Sequence, residues 1–427
     1  MISITRYEDL KRWKMVGKWV LVYGRRKTGK SYFVKNFVKH DKYFFIGRGG
    51  KILEGDNAIS YDIFLREVFE NLKNNKTIVI DEIQRLPEEF HDRLHASGIK
   101  GNLIAISSTL WIAKKLLGKR SPLLGLFSEF KMDIIDERDI LINLAPKIKD
   151  YKTLIEVCTY LREPLLIPLW EANKESFLNS IAISTKLSVP ALIGEIFSEE
   201  ERELSAVYEG VLKAVADGKR VSGEIAQYLY SLRLIPYQNP SFVHPYLKSL
   251  FDLGLLKKIK VFGRKKYYYY NSSPVIDLFY YLDAKYGFSE RDISPQQIEK
   301  ISLERIPFHV EQFFRNLLSK LFGLWNEIIS KPEYEIDIAL TDFKKLKVIA
   351  EVKWKNRVSK KEIEKIEEVF SNFDCRKILI VPDRKALEKE PKGIEVWDVR
   401  TILTKIKNIS KNFYERKSNN KNSKRAL

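Results

Sequence analysis

Gly24-Arg25-Arg26-Lys27-Thr28-Gly29-Lys30-Ser31 is the stretch whose reading decides the fold. It fits the phosphate-binding pattern G-x-x-x-x-G-K-[ST] without a mismatch. Upstream, Trp19-Val20-Leu21-Val22-Tyr23 reads as a buried parallel strand, and downstream Tyr32-Phe33-Val34-Lys35-Asn36-Phe37-Val38 carries apolar residues at helical spacing. Strand, glycine loop and helix are the context the motif needs. The glycines let the backbone fold round a phosphate, while the loop N–H groups and the helix N-terminus favour its negative charge. Lys30 then reaches the β and γ oxygens and the Ser31 hydroxyl holds Mg²⁺. All eight residues, Gly24 to Ser31, are therefore candidate phosphate-site residues.

Outward from the loop, Tyr43-Phe44-Phe45-Ile46 reads as a second strand and Ile63 to Glu70 as a helix, whereas residues 1–18 read as a short polar lead-in. Thr77-Ile78-Val79-Ile80-Asp81-Glu82 is an apolar strand ending in two acids. A carboxylate at the end of a strand beside a phosphate loop binds Mg²⁺ through water, the role expected of Asp81. Glu82, one residue on, is placed to orient and deprotonate an attacking water. Leu103-Ile104-Ala105-Ile106-Ser107-Ser108-Thr109 is a third strand that ends in hydroxyls. Ser107 or Ser108 is a candidate sensor of a γ-phosphate; the competing reading is a helix cap, because a helical run follows from Trp111 to Leu117.

Together the phosphate loop, the run Asp81-Glu82-Ile83-Gln84-Arg85-Leu86 and the turn Ser121-Pro122-Leu123-Leu124-Gly125 resemble the archaeal ATPase family. These are P-loop proteins related to AAA+ and STAND ATPases. The likeness extends over most of the chain and is strongest in residues 19–130. It implies ATP and Mg²⁺ as cofactors and a C-terminal domain similar to restriction-type nucleases. One departure concerns turnover. Family members often carry an arginine after the Pro-Leu-x-Gly turn, where this chain has Leu126, which leaves Arg120 or nothing for that task. From Asp136 to about Ser198 the pattern turns to helices rich in Leu and Ile, in the position of a lid over the nucleotide. Of the Gly-Gly-Ile-Pro often found there, only Pro164 is present.

Residues 201–287 carry three helical patterns, Leu204 to Ala216, Ser222 to Leu232 and Pro240 to Leu253, followed by two β-rich runs joined at Gly263. Such an order resembles a winged helix. Lys257, Lys258, Lys260, Arg264, Lys265 and Lys266 fall on its expected wing, where they would neutralise DNA phosphates beside stacking tyrosines. Alternatively the tyrosines pack on the helices and the lysines protect a strand edge.

In the last third, Glu335-Ile336-Asp337-Ile338-Ala339-Leu340 alternates as a strand, and Val348-Ile349-Ala350-Glu351-Val352-Lys353-Trp354-Lys355 returns beside it. Asp337 with Glu351-x-Lys353 fits the D-(x)n-E-x-K arrangement of the PD-(D/E)xK nuclease fold. There two carboxylates hold Mg²⁺ or Mn²⁺ and the lysine positions or activates water against a phosphodiester. Period two puts Glu351 and Lys353 on one face. Glu311, in the helical run Phe308 to Phe314, matches the acid of the first helix, while Lys360 to Phe370 and Lys377 to Pro382 supply the next helix and strand.

The composition agrees with a polyanion partner: 75 Lys+Arg against 56 Asp+Glu leave a formal charge of +19. Cys158 and Cys375 stand far apart and in no metal-ligand spacing, which fits a reducing cytoplasm. Neither a signal peptide nor a membrane-spanning run is read. The expected fold class is α/β, a P-loop parallel sheet with a helical lid, then a winged helix, then an α/β restriction-nuclease-like domain. The expected boundaries are 1–135, 136–200, 201–290 and 291–405, with a basic disordered tail at 406–427. The expected activity is ATP hydrolysis that controls a DNA-acting module. The alternatives are a nucleotide-gated regulatory protein with little turnover, favoured by Leu126, and a metal-dependent endonuclease.

Overall fold

Strands that are apolar at every position need cover on both faces, and the first half of the chain supplies it. The computed structural model describes residues 3–98, 100–108, 123, 125–172, 176–200 and 203–407. The helix expected from Trp111 to Leu117, Arg120, most of the 121–125 turn and the tail beyond Lys407 lie outside the described residues. In chain order the first elements are α1 (Tyr7–Trp13), β1 (Trp19–Tyr23), α2 (Lys30–Phe37), β2 (Lys42–Ile46), β3 (Ile52–Glu54) and β4 (Asn57–Ile59). They continue with α3 (Tyr61–Lys73), β5 (Thr77–Asp81), α4 (Glu88–Ser97), β6 (Asn102–Ser107) and β7 (Ser128–Lys131).

The first sheet runs β4-β3-β2-β5-β6-β1-β7. Strands β2, β5, β6, β1 and β7 are parallel, and the β3–β4 hairpin adds an antiparallel edge. Trp19, Leu21, Ile78, Ile80, Leu103 and Ala105 pack on one face against Phe64 and Phe90 of α3 and α4. Val20, Val22, Val79, Ile104 and Ile106 pack on the other against Phe33 and Val34 of α2. Because β6 lies between β1 and β5, its hydroxyl end is flanked by the phosphate loop on one side and Asp81 on the other.

The lead-in is more structured than its polarity suggests. Trp13 of α1 meets Phe33 and Phe130 edge-on at 5.8 and 5.0 Å, and Leu10 and Val16 join the same core. So few apolar positions in a short helix leave no periodicity to read.

Residues beyond 135 begin with α5 (Glu137–Leu144), α6 (Tyr151–Leu161), α7 (Ile167–Ala172) and α8 (Phe177–Glu199). Then come α9 (Ala206–Ala216), α10 (Ser222–Ser231), α11 (Pro240–Asp252), β8 (Leu256–Val261), β9 (Tyr267–Asn271), α12 (Pro274–Tyr286) and α13 (Pro295–Phe322). The chain closes with β10 (Trp325–Ser330), β11 (Glu335–Asp342), β12 (Lys345–Val352), α14 (Lys360–Ser371), β13 (Arg376–Ile380) and β14 (Glu395–Trp397). One continuous apolar core takes in α5 to α13 and reaches Ile380 and Trp397. The stretch Ser180–Glu199 of α8 is, by length and composition, apolar enough to cross a membrane, unlike the sequence expectation; Ile181, Val189, Ile193 and Phe197 are buried in this core.

The basic hairpin is not a free wing. The second sheet runs β14-β13-β12-β11-β10-β8-β9, so β8 lies parallel to β10, with Lys260 opposite Glu327 and the Phe262 N–H donating to the Ile328 carbonyl at 2.8 Å. Tyr268 and Tyr270 are core residues of β9, as the packing alternative requires. Lys260 pairs with Glu327 at 3.1 Å, while Lys258, Arg264, Lys265, Lys266 and Tyr267 stay exposed.

A buried polar joint ties α6, α12 and α13 together. Asp277 accepts from His309 Nε2 at 2.8 Å, Arg305 Nε at 2.9 Å and Asn271 Nδ2 at 3.0 Å, and Tyr160 Oη lies 2.8 Å from His309 Nδ1. Burial alone would raise the Asp277 carboxyl, but Arg305 and His309 outweigh it and hold it below its usual range. Removing one member of such a set strands the others without water. Asp277→Ala is expected to cost about 3 to 5 kcal/mol, read as a lower midpoint in urea denaturation followed by circular dichroism. A midpoint equal to that of the parent chain would contradict this role.

Candidate functional site

The loop between β1 and α2 is shaped by two glycines. A Cβ on Gly24 (φ +152°) would sit 2.0 Å from the Met132 carbonyl oxygen, so the chain after β7 passes too close for any side chain. Gly29, at φ +89°, is the N-cap of α2 and turns the chain into the helix. Lys30 is buried and donates to the Gly24 and Arg25 carbonyls at 2.8 and 3.0 Å, closing the loop on itself. Burial pushes its ammonium down to about 8, with Glu82, Asp81 and Glu199 holding it up against that.

The other loop side chains are anchors. Thr28 Oγ1 donates to the Arg25 carbonyl at 2.9 Å. Arg25 donates to both oxygens of Glu163, at 2.6 and 2.7 Å, with both side chains buried. Arg26 pairs with Glu195 at 2.6 Å and with Glu199. Lys27 is exposed, at φ +63°. From the lead-in, buried Arg6 donates to the Thr28 and Asp133 carbonyls, each at 2.6 Å. None of Arg6, Glu163, Glu195 and Glu199 belongs to a motif. Only the i, i+4 spacing of Glu195 and Glu199 at the end of an apolar helix is visible in the sequence.

Asp81, at the end of β5, is buried and accepts from the Tyr43 hydroxyl at 2.5 Å. Burial raises its carboxyl, and hydrogen bonds from the Tyr43 and Ser31 hydroxyls work against that. Its Oδ1 is buried with no hydrogen-bond partner among the described residues. An orphaned carboxylate oxygen beside the Ser31 hydroxyl is a donor set that suits a hard cation such as Mg²⁺.

Glu82 adopts the left-handed conformation, φ +64°. This is unusual for a residue with a side chain and typical of functional turns. Its carboxylate accepts from Ser108 Oγ at 2.9 Å and from the Gln84 amide, with Arg85 3.8 Å away. Of the two serines expected at the end of β6, Ser107 is fully buried and Ser108 reaches the cluster, where its single hydroxyl proton is shared between Glu82 and Glu199, the latter 2.5 Å away.

In the second sheet, Asp337 lies on β11, Glu351 on β12 and Lys353 directly after β12. Asp337 Oδ2 accepts from the Val352 N–H at 2.9 Å, and Lys353 Nζ donates to Glu351 at 2.6 Å. Arg315 Nε donates to the Asp337 carbonyl at 2.9 Å and pairs with Glu311, one turn earlier on α13. Glu351 is pushed up to about 7 by burial and by the neighbouring Asp337. Glu311 rises to about 8 through burial, with Asp337 adding to it and Arg315 opposing. A cavity of 270 Å³ opens over Glu335, Glu351, Lys353 and Glu362. Among the described residues no three His, Cys, Asp or Glu side chains gather closely enough to hold a metal unaided. An ion at either site would draw further oxygens from water or substrate.

Residues 16–132 match the family model of an AAA domain. With the parallel sheet and the glycine loop, this makes the N-terminal part a P-loop ATPase-type fold. Over 403 residues the chain is 24% identical to an uncharacterised protein of Methanocaldococcus jannaschii, covering 82% of this chain and 85% of the other. Among solved structures, a Walker-type ATPase of Pyrococcus abyssi aligns at 15% identity and a TM-score of 0.45, over 65% of this chain and 96% of that one. The ORC1 protein of Aeropyrum pernix, in complex with DNA, aligns at 15% identity and a TM-score of 0.28, over 66% and 93% of the two chains.

A phosphate brought to Lys30 restores its proton. Nucleotide binding is therefore expected to take up a proton above pH 8, so affinity for ADP should fall as pH rises through about 8, by up to tenfold per unit. Calorimetry in buffers of different ionisation heat measures that uptake. An affinity constant from about pH 7 to about pH 10 would speak against the depressed lysine.

Proposed function

We propose that the chain is a cytoplasmic, Mg²⁺-dependent ATPase whose nucleotide state controls a C-terminal module acting on DNA. The observation that carries the hydrolytic reading is the meeting of Ser31, the unpartnered Oδ1 of Asp81, and Glu82 at the mouth of the phosphate loop. In this reading the loop N–H groups and Lys30 bind the β- and γ-phosphates, and Ser31 and Asp81 hold the cation. Mg²⁺ would offset charge on the phosphate oxygens. Glu82 orients and deprotonates the attacking water, and Ser108 lies where a γ-phosphate would be sensed.

Coupling has a physical route. Arg25 is bonded to Glu163, three residues after Tyr160, which meets His309 on α13, the helix that carries Glu311. A Cβ on Gly254, in the turn before β8, would lie 4.0 Å from Arg25 Cβ. DNA as the partner rests on the +19 charge and on the exposed Lys258, Arg264, Lys265 and Lys266. The regulatory alternative keeps its footing in Leu126.

The ATPase reading is tested with Lys30→Ala and Glu82→Gln. Lys30→Ala should abolish nucleotide binding, and Glu82→Gln should still bind ATP while turnover drops by roughly a hundredfold or more. Undiminished ATP binding by Lys30→Ala, or unchanged hydrolysis by Glu82→Gln, would sink it. Addition of DNA should stimulate the parent enzyme.

A second reading, metal-dependent DNA cleavage, draws support from Asp337, Glu351 and Lys353 meeting beside a cavity. Plasmid should then be nicked with Mg²⁺ or Mn²⁺ by the parent chain and left intact by Glu351→Ala. Intact plasmid with both chains removes this reading and leaves the ATPase reading standing.

A further inference from the structure

Glu199 is the last residue of α8, distant in sequence from everything its side chain touches. Its carboxylate accepts from Ser108 Oγ at 2.5 Å, pairs with Arg26, and lies 3.4 Å from Arg85. One turn earlier Glu195 takes the Arg26 Nε at 2.6 Å and lies 3.8 Å from Arg48. Two guanidinium groups and a hydroxyl thus converge on one half-buried carboxylate. That donor set is the one proteins use to hold a phosphate oxygen.

Position identifies which phosphate. Arg26 belongs to the loop itself, Ser108 follows β6 between the loop and Asp81, and Arg85 follows the Asp81-Glu82 pair. Glu82, the residue assigned to orienting the attacking water, shares Ser108 with Glu199, at 2.9 Å against 2.5 Å. The cluster therefore lies at the hydrolytic end of the site.

We propose that Arg26, Arg85 and Ser108 form the γ-phosphate pocket, that Glu199 fills it as an internal stand-in for that phosphate, and that ATP, unlike ADP, displaces it. The proposal rests on the ATP reading of the loop and adds to it the groups that tell triphosphate from diphosphate. A γ-phosphate and the Glu199 carboxylate cannot share the same donors without like charges in contact, so the end of α8 must give way. Phe197, two residues before Glu199, packs edge-on against Tyr208 of α9 at 4.8 Å. Displacement of Glu199 is thereby passed to the first helix of the unit that carries the basic hairpin.

The test compares binding of ADP and of AMP-PNP, in Mg²⁺, to the full-length parent, Glu199→Ala and Arg85→Ala. Glu199→Ala should tighten AMP-PNP about tenfold and leave ADP within about twofold, while Arg85→Ala should weaken AMP-PNP about tenfold with little change for ADP. Should the alanine variant fail to fold, Glu199→Gln keeps the side-chain size and removes the charge, with the same direction expected. A purely structural role for Glu199 moves both affinities together, and that unchanged ratio would overturn the inference while the ATP reading stands. No binding of either nucleotide to the parent or to Glu199→Ala overturns both.

Discussion

Arg25 and Glu163 form a buried ion pair in which one guanidinium nitrogen serves both carboxylate oxygens, at 2.6 and 2.7 Å. Taking two charges out of water is expensive, and only close geometry offsets the cost. The other terminal nitrogen of Arg25 is buried with no partner among the described residues, so the offset is incomplete. Such a pair is a poor source of stability and a good constraint. It fixes the phosphate loop of one sheet to the helical body that holds the rest of the chain, and Arg26 and Arg85, both paired with Glu199, repeat the pattern around it. The position of the loop is therefore set from outside the loop, by residues of α8 and of the turn after α6.

Local patterning is the part of this structure that the sequence disclosed. The apolar strands of the first sheet, the glycine loop, the Asp81 strand and the helices from Ala206 to Asp252 all show as period or motif. The β3–β4 hairpin and β7 are short, without sustained alternation. The role of Arg6 and Glu163 depends on partners well over a hundred residues away for Glu163, and nothing in their neighbours announces it. The pairing of β8 with β10 is of the same kind: the basic hairpin shows locally, but the strand it lies against does not. Of the candidate site residues, Asp81 and Ser31 meet, Glu82 and Ser108 meet, and Asp337, Glu351 and Lys353 meet. The acids that face the loop from α8 needed the fold to be seen.

Burial raises the acids of both sites, and at Asp81 it does so against the pull of the Tyr43 and Ser31 hydroxyls. Glu311 and Glu351, raised to about 8 and about 7, are partly protonated at neutral pH. Their pKa values are higher folded than unfolded. The stability they contribute is present in acid and is lost as pH rises through 7 to 8. A cation near Asp337 and Glu351 would reverse that trend by favouring the charged forms.

The parallel pairing of β8 with β10 has a consequence for how the chain can be divided. Residues between the two strands build α12 and α13 before the sheet can close, so this joint forms late along the chain and ties the residues before 290 to those after it. A chain severed there would leave β8 and β10 each with a row of unpaired N–H and C=O groups, an open invitation to stack with other copies. The second sheet is thus inherited or lost whole: a hairpin transplanted with its helices alone would carry a raw edge in place of its charged tip as its most adhesive surface.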